Sequence, residues 1–368
     1  MNEEIFYHLA LTQVPQIGDI QIGLLLKHFG EPSVVFKANR KSLESIAGIG
    51  AIRAEAIKKF SGFNRVEKEL KFIAKNEIEI LVKHHEGYPS RLENCIDAPN
   101  ILFYKGSQSL NQQHIVAVVG TRTPTGYGKE RVAALIETLA QVDVLVVSGL
   151  AYGIDTLVHR DCVKYKVNTV GVLGHGLDQI YPSSNRILAS EMIHLGGLLS
   201  EFMHGTKPDR QNFPKRNRIV AGMVDAVIVI ESGEKGGSLI TAEIANSYNK
   251  DVFAYPGRTT DLGSMGCNHL IRTHRADLIT SGMDFIEFMG WNPVTKRKKA
   301  IQAELFLSLE GNEKQLYNLI LEREPVGIDE LIIQTMLKPS EVSSILFSLE
   351  MRGLVSPRPG KLYAAVYR

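Results

Sequence analysis

The feature that most constrains the fold is a series of short apolar runs between residues 112 and 288, separated by stretches with helical periodicity. Continuous apolar strands that alternate with helices are typical of a parallel sheet covered on both faces. Such sheets bind ligands at the carboxyl ends of their strands. The predicted strands are residues 115–119, 142–147, 169–173, 197–199, 226–230, 252–255 and 278–279.

A different pattern precedes the sheet, and we assign residues 1–80 to a separate helical domain. Its turns at 15–18 (PQIG) and 47–50 (AGIG) resemble those of helix-hairpin-helix and SAM-like domains. In such turns the free N–H groups of the next helix can meet a DNA phosphate. The turns also fit a helical bundle with glycine-tightened corners and no DNA contact, because few basic residues flank them.

The sheet domain is predicted to span 81–290, followed by a basic linker at 291–309 and a winged-helix domain at 310–368. The linker contains Lys296, Arg297, Lys298 and Lys299. In the last domain, apolar residues at helical spacing follow Pro339, and short strands flank residues 357–360 as in a wing. The presumed recognition helix has few cations beyond Lys338 and Arg352, which favours a protein-contact or packing role over groove binding.

Composition excludes several classes of protein. With 44% hydrophobic and 22% charged residues the chain is neither disordered nor fibrous. The cysteines, Cys95, Cys162 and Cys267, are too far apart for a zinc site or a disulfide framework. No run of about 18 apolar residues exists, and two glutamates stand where a secretory signal needs basic residues. We therefore expect a cytoplasmic protein with no membrane contact, no metal and no cofactor.

Small residues at the predicted strand ends indicate an anion site. Glycines let a phosphate approach the backbone, and helix N-termini supply free N–H donors. The first strand is not followed by the G-x-G-x-x-G pattern, nor the second by an acidic residue for a ribose, so a dinucleotide site is not indicated. The predicted phosphate pocket consists of Gly120, Thr121, Arg122, Ser148, Gly149, Gly236, Gly237 and Ser238.

A basic stretch provides the second half of the predicted site, immediately before an apolar helix. Cations at a helix start oppose the helix dipole, which favours an anionic ligand there. Arginine and lysine neutralise backbone phosphates, and an exposed phenylalanine can stack on a base. The predicted DNA-binding residues are Arg122, Lys207, Arg210, Phe213, Lys215, Arg216, Asn217 and Arg218.

Two features of the sequence suggest catalysis at first. His175 stands among glycines at a strand end, a position that suits a general base, but no serine or cysteine nucleophile with a partnering acid accompanies it. Asp155 is four residues before His159, yet a carboxylate at a helix start is explained by the helix dipole. We therefore predict a binding protein without catalytic residues.

The motif series GTRTPTGYG, SGLAYGIDTLVHR, GHGLDQIYPSSN, LLSEF, FPKRNRIVAG, GGSLITAEIA, PG and GSMGCNHLI resembles that of the DNA-processing protein A family (DprA, also called Smf). This resemblance spans residues from about 88 to about 288. It implies an extended Rossmann-like fold that binds single-stranded DNA, dimerises and helps to load the RecA recombinase onto incoming DNA during natural transformation. It also implies that Arg122 and the FPKRNR cations contact the DNA backbone, with Phe213 near a base.

Two other interpretations stay open at this point. The loop GEKGGSLITAE is similar to the PGGxGTxxE motif of Rossmann-fold nucleotide phosphoribohydrolases, often called lysine decarboxylase-like, although Ser238 and the spacing to Glu243 depart from it. A nucleotide-sensing regulator whose winged helix reads duplex DNA is the third hypothesis. The few cations of the presumed recognition helix argue against it.

Overall fold

The structure is a computed structural model that describes residues 3–291, 309, 311–323, 325–352, 354–358, 360 and 362–365. The chain divides into two compact units, Met1–Val294 and Thr295–Arg368. The predicted basic run at 296–299 lies outside the described residues.

Residues 3–75 form helices, of which the first five share a small apolar core and the sixth packs with the first against residues of the sheet domain. These helices are α1 (Glu3–Thr12), α2 (Asp19–Phe29), α3 (Pro32–Lys37), α4 (Arg40–Glu44), α5 (Gly50–Lys58) and α6 (Phe63–Lys75). The predicted turns precede α2 and α5. Arg53 joins them, because its guanidinium donates to the carbonyl oxygens of Gln16 (3.1 Å) and Gly48 (2.8 Å).

The central element is a sheet of nine strands in the order β1-β2-β6-β5-β4-β3-β7-β8-β9. Its strands are β1 (Glu79–Val82), β2 (Ile101–Gly106), β3 (Ile115–Val119), β4 (Leu145–Ser148), β5 (Asn168–Leu173), β6 (Gly196–Ser200), β7 (Ala226–Val229), β8 (Asp251–Ala254) and β9 (Asp277–Leu278). The strands from β3 to β9 pair in parallel. The first two strands pair antiparallel, β1 with β2 and β2 with β6.

Helices cover both faces of the sheet. They are α7 (Ser90–Glu93), α8 (Gly126–Leu139), α9 (Ile154–Tyr165), α10 (Arg186–Leu195), α11 (Asn212–Gly222), α12 (Gly237–Ser247), α13 (Met265–Arg272) and α14 (Gly282–Phe288). Successive side chains of a strand point to opposite faces. Accordingly, the odd-numbered residues of β3 pack with α11 and α12, and the even-numbered ones with α8 and α9.

The predicted extended Rossmann-like fold is confirmed, and the sequence predicted all seven parallel strands to within a few residues. It missed β1 and β2. These strands form an antiparallel edge, where the alternation of strand and helix that identified the others is absent.

Strand order places a crevice between β3 and β7. From β3 the chain builds the sheet outward through β4, β5 and β6, and then returns to the other side of β3 with β7. In open sheets of this kind ligands bind outside the carboxyl ends of the strands where the winding reverses.

The second unit has its own core. It contains α15 (Gly311–Glu322), α16 (Ile328–Thr335), α17 (Pro339–Met351) and the strands β10 (Val326–Gly327), β11 (Val355–Arg358) and β12 (Leu362–Ala365). The strands form an antiparallel sheet in the order β10-β12-β11. Val342, Leu346 and Leu349 of α17 are buried, as their helical spacing predicted. This arrangement confirms the predicted winged helix.

Candidate nucleic-acid interface

A cavity of about 700 Å³ lies at the carboxyl ends of β3, β4, β5 and β7, and we call it the strand-end cavity. Predicted site residues from loops far apart in the sequence line it together. They are Gly120, Thr121, Arg122, Gly149, Arg210, Phe213, Arg216, Asn217, Gly236, Gly237 and Ser238. Arg122 and Arg216 therefore share one cavity, as the sequence predicted.

Backbone hydrogen bonds fix the loop that carries Arg122. Thr121 N–H donates to the carbonyl oxygen of Glu231 after β7 (2.7 Å), and Ile154 N–H donates to the Thr121 carbonyl (3.0 Å). Gly153 has a φ of 79°, and a Cβ there would lie 2.2 Å from the Thr121 oxygen. Only glycine permits this close approach. The loop is thus held from both neighbouring strand ends, and Arg122 is exposed on it.

The basic stretch lies within α11, not before a helix as the sequence predicted, because α11 already begins at Asn212. Pro214 is tolerated in the first turn, where its missing N–H has no intrahelical partner. The helix directs Arg216 inward, where it is only 5% exposed. Its Nη1 donates to the Val172 carbonyl (3.0 Å), and a Cβ on Gly149 would lie 1.5 Å from this nitrogen. The glycine thus makes room for the guanidinium.

A buried carboxylate faces this buried cation. Asp155 Oδ2 accepts hydrogen bonds from the backbone N–H groups of Gly149 (3.1 Å) and Ala151 (3.3 Å). Burial raises the pKa of Asp155, and the charge of Arg216 opposes that shift. Burial lowers the pKa of Arg216, and Asp155 opposes that shift in turn. Asp155 is therefore more than the helix-start residue that its sequence position indicated, because it also compensates Arg216.

The protein uses few of the five N–H donors of Arg216. Among the described residues its buried Nε has no hydrogen-bond partner. Unpaired buried donors are rare, since each forfeits its hydrogen bond to water. This Nε is closed to solvent, but the guanidinium lines the strand-end cavity with further donors, and this arrangement favours an anionic ligand.

Exposed and half-buried side chains surround the mouth of the strand-end cavity. The Cζ atom of Arg122 lies 5.5 Å from the centroid of the Phe213 ring, within the range of a cation–π contact. Phe213 is half-buried, Asn217 is half-buried beside it, and Arg210 is exposed. Cation, ring and amide are thus adjacent at the cavity mouth.

Four predicted residues lie elsewhere. Ser148 is fully buried and its Oγ donates to the Val118 carbonyl (2.7 Å), so it joins strands instead of lining the cavity. Lys207 is exposed and does not line the strand-end cavity.

Lys215 and Arg218 line a second cavity of about 930 Å³ between the amino-terminal helices and the sheet, and Lys207 does not line this cavity either. Being three residues apart, they share the face of α11 opposite Arg216.

Arg218 has protein partners. It forms ion pairs with Glu201 and with Asp19 of α2 (3.2 Å), and it donates to the Asp97 carbonyl. Asp19 also accepts a hydrogen bond from Asn100 N–H (2.9 Å). The first of the two predicted helix-hairpin-helix turns thus leads into a contact with the sheet domain, and Arg218 connects helices and sheet.

The structure gives His175 a role in loop geometry. It is 1% exposed, its Nδ1 lies 2.9 Å from the Gly176 carbonyl oxygen, and its own carbonyl accepts from Ser200 Oγ (2.7 Å). Burial lowers the pKa of His175. These contacts agree with its interpretation as a hydrogen-bonding loop residue.

Sequence reasoning missed Glu231, which is 2% exposed. Its carboxylate accepts from Thr125 N–H (3.0 Å) and from Thr125 Oγ1 (2.8 Å), and so holds the start of α8 against the end of β7. The available signal was an acidic residue directly after a buried apolar run, which is rarely tolerated without partners.

Two absences concern the part of the chain that the structure describes. In that part of the chain no group of three or more histidine, cysteine, aspartate or glutamate side chains is arranged to hold a metal ion. No described helix combines the length and the apolar character needed to cross a bilayer.

Comparison with known proteins identifies relatives of both units. Residues 79–290 match the family described as DNA recombination-mediator protein A, and residues 307–361 match the DprA winged helix domain. Protein Smf of Synechocystis is 32% identical, over 98% of this chain and 99% of that protein.

Solved structures agree with these matches. DNA processing protein A of Streptococcus pneumoniae superposes with a TM-score of 0.67 at 33% identity, over 77% of this chain and 97% of that one. The protein from Helicobacter pylori, described for its unique single-stranded DNA binding mode, gives 0.54 at 29% identity, over 59% and 98%. The chain belongs to the DNA recombination-mediator protein A family, also named DprA or Smf.

Proposed function

We propose that this protein binds single-stranded DNA at the strand-end cavity, protects incoming DNA, and loads the RecA recombinase in natural transformation and recombination, without chemistry of its own. The observation that carries the proposal is Arg216, a buried cation that lines the strand-end cavity and, among the described residues, makes one side-chain hydrogen bond, from Nη1 to the Val172 carbonyl. Asp155 offsets the cost of burying this charge, and the guanidinium donors that the protein does not use fit a backbone phosphate.

The surroundings of Arg216 suit a phosphate. Gly236, Gly237 and Ser238 line the cavity at the start of α12, where no side chain caps the helix. Free N–H groups and the helix dipole both favour an anion at such a terminus. The exposed Arg122 and Arg210 then neutralise neighbouring phosphates. Lys207 and Lys215 are exposed as well, and as DNA contacts they stay predictions.

Family membership supports the remaining parts of the proposal. The name of the family and the single-stranded DNA binding described for the Helicobacter pylori protein both favour a role in recombination. We also propose a cytoplasmic homodimer, because two linked sites raise the effective concentration of each for one strand. Light scattering at micromolar concentration tests this, and a monomer would contradict it.

The phosphoribohydrolase interpretation requires a glutamate at the ligand. Glu243 instead forms an ion pair with Arg275, and both side chains are about half exposed (46% and 52%). The residues that line the strand-end cavity do not include it. The structure therefore favours binding over hydrolysis at this site.

Salt-dependent binding of a single-stranded homopolymer tests the proposed function. Each phosphate contact contributes about 0.7 to the slope of log affinity against log salt for single strands. We expect Arg122→Ala to weaken binding about equally for different sequences and to flatten this slope by about 0.7. Fluorescence anisotropy at four salt concentrations measures both quantities.

Arg275→Ala is the matched control, since it removes an exposed arginine that does not line the strand-end cavity. It should leave affinity and slope as in the wild type. If Arg122→Ala and Arg216→Met both keep the wild-type slope, the strand-end cavity is not the DNA site.

A further inference from the structure

Two exposed tyrosines extend the strand-end cavity beyond the residues already assigned to it. Tyr152 follows β4 and is 49% exposed, and Tyr181 follows β5 and is 43% exposed. The centroid of Tyr181 lies 6.3 Å from that of Tyr152 and 6.1 Å from that of Phe213. We call these three rings, Tyr152, Tyr181 and Phe213, the aromatic row.

Buried hydrogen bonds hold the loops that carry the tyrosines. Asn185, 4% exposed, donates through Nδ2 to the Leu150 carbonyl (3.0 Å) and to Thr156 Oγ1 (2.8 Å), which ties the Tyr181 loop to the Tyr152 loop. Thr156 Oγ1 in turn donates to the Ala151 carbonyl (2.6 Å). The rings are therefore presented to solvent from fixed backbone.

The aromatic row is connected to the cationic part of the cavity. Arg122 lies over the Phe213 ring, and Tyr181 lines the same cavity as Arg216. Cationic side chains beside the aromatic row fit a polymer that has negatively charged groups along one side and flat rings along the other. Single-stranded nucleic acid has this chemistry, and proteins that bind it combine these two features.

We propose that Tyr152 and Tyr181 form a stacking platform for unpaired nucleobases, which continues the bound strand from the strand-end cavity across the ends of β4 and β5. This inference rests on the proposed function, since it assigns bases to the strand whose phosphates Arg122 and Arg216 hold. Stacking accepts every base, so the platform selects single strands over duplexes without selecting a sequence. Paired bases inside a duplex cannot offer their faces to a side chain.

The test separates base contacts from backbone contacts. Affinities are measured for fluorescent oligo-dT and for an abasic oligomer of equal length, with wild type, the double variant Tyr152→Leu/Tyr181→Leu and the double variant Tyr152→Phe/Tyr181→Phe. Leucine keeps an apolar side chain but removes the ring, whereas phenylalanine keeps the ring. We expect the leucine variant to lose about 10-fold or more for oligo-dT, with an unchanged salt slope.

The leucine variant should bind the abasic oligomer as the wild type does, and the phenylalanine variant should bind both oligomers normally. Tyr165→Leu makes the same chemical change at the other end of α9, away from the strand-end cavity, and should bind normally. Circular dichroism melting checks that each variant is folded.

The two proposals fail in different ways. If the leucine variant binds oligo-dT like the wild type while Arg122→Ala weakens binding, the platform is overturned and the phosphate site stands. An equal loss for oligo-dT and the abasic oligomer would also overturn the platform. If the wild type binds no oligo-dT at low salt, both the proposed function and the stacking platform are contradicted.

Discussion

The charge of Arg216 acts on two buried neighbours, Asp155 and His159. The Asp155 carboxylate offsets the positive charge of the Arg216 guanidinium. His159 is fully buried on α9 and lies in the electric field of the same cation. Burial first, and then the charge of Arg216, lower the pKa of His159 to about 3. Its Nδ1 lies 2.7 Å from Thr169 Oγ1, while Nε2 has no partner among the described residues. The histidine beneath the candidate site is therefore neutral at physiological pH.

This neutral histidine makes stability depend on pH. Its pKa is depressed from the usual 6.5 to about 3 on folding, so below pH 6.5 the unfolded chain binds a proton that the folded chain does not. Stability then falls as the pH falls. Between pH 7 and pH 5.5 the wild type should lose about 1.2 kcal/mol more than His159→Gln.

Urea unfolding at the two pH values measures this difference. The only tryptophan, Trp291, is buried in the same apolar cluster as Val158 and Cys162 of α9, so its fluorescence reports the unfolding of this unit. Equal losses in the wild type and the variant would show that His159 already takes up a proton in the folded chain.

Among the helices and strands, α11 shows what the sequence alone does not predict. Helical periodicity puts Lys215 and Arg218 on one face and Arg216 on the other, but it does not tell which face meets the strand ends. That depends on how α11 crosses the sheet, which is a tertiary fact. The convergence of the glycine loops was predictable, because carboxyl ends of parallel strands share one edge. The same limit applies to Tyr152 and Tyr181, whose proximity depends on the order of β4 and β5 in the sheet.

The start of α8 provides a prediction at this scale. Thr125 is its N-cap, accepting from Gly128 N–H (3.4 Å), and it also donates to the buried Glu231 carboxylate. Thr125→Ala removes the cap and one donor to this carboxylate, so we expect a loss of about 1–3 kcal/mol of unfolding free energy. Thr125→Ser keeps the hydroxyl and should stay within about 0.5 kcal/mol of the wild type. Equal losses in the two variants, measured by urea unfolding, would mean that the hydroxyl is not what stabilises this turn.

At the scale of the whole molecule, the cationic residues of the strand-end cavity belong to one unit and the winged helix to the other. The exposed side of α17 presents Phe347 (64%) and Met351 (73%), and Arg352 is paired with Glu313 (3.0 Å). Such a surface adds little attraction for phosphates. The described part of the winged helix therefore fits the protein-contact or packing role that its sequence favoured.

Because of this separation of charge, removal of the winged helix should leave DNA binding intact. Ending the chain after Ala300 keeps the basic run at 296–299 and removes the winged helix, whose apolar core is formed by its own residues. Because the number of neutralised phosphates stays the same, affinity for oligo-dT should change by no more than about twofold and the salt slope should not change. Arg122→Ala introduced into the shortened chain should flatten the slope as much as in the full chain, since independent sites are additive. A tenfold loss of affinity on shortening, with the Trp291 unfolding transition intact, would place a DNA contact in the winged helix.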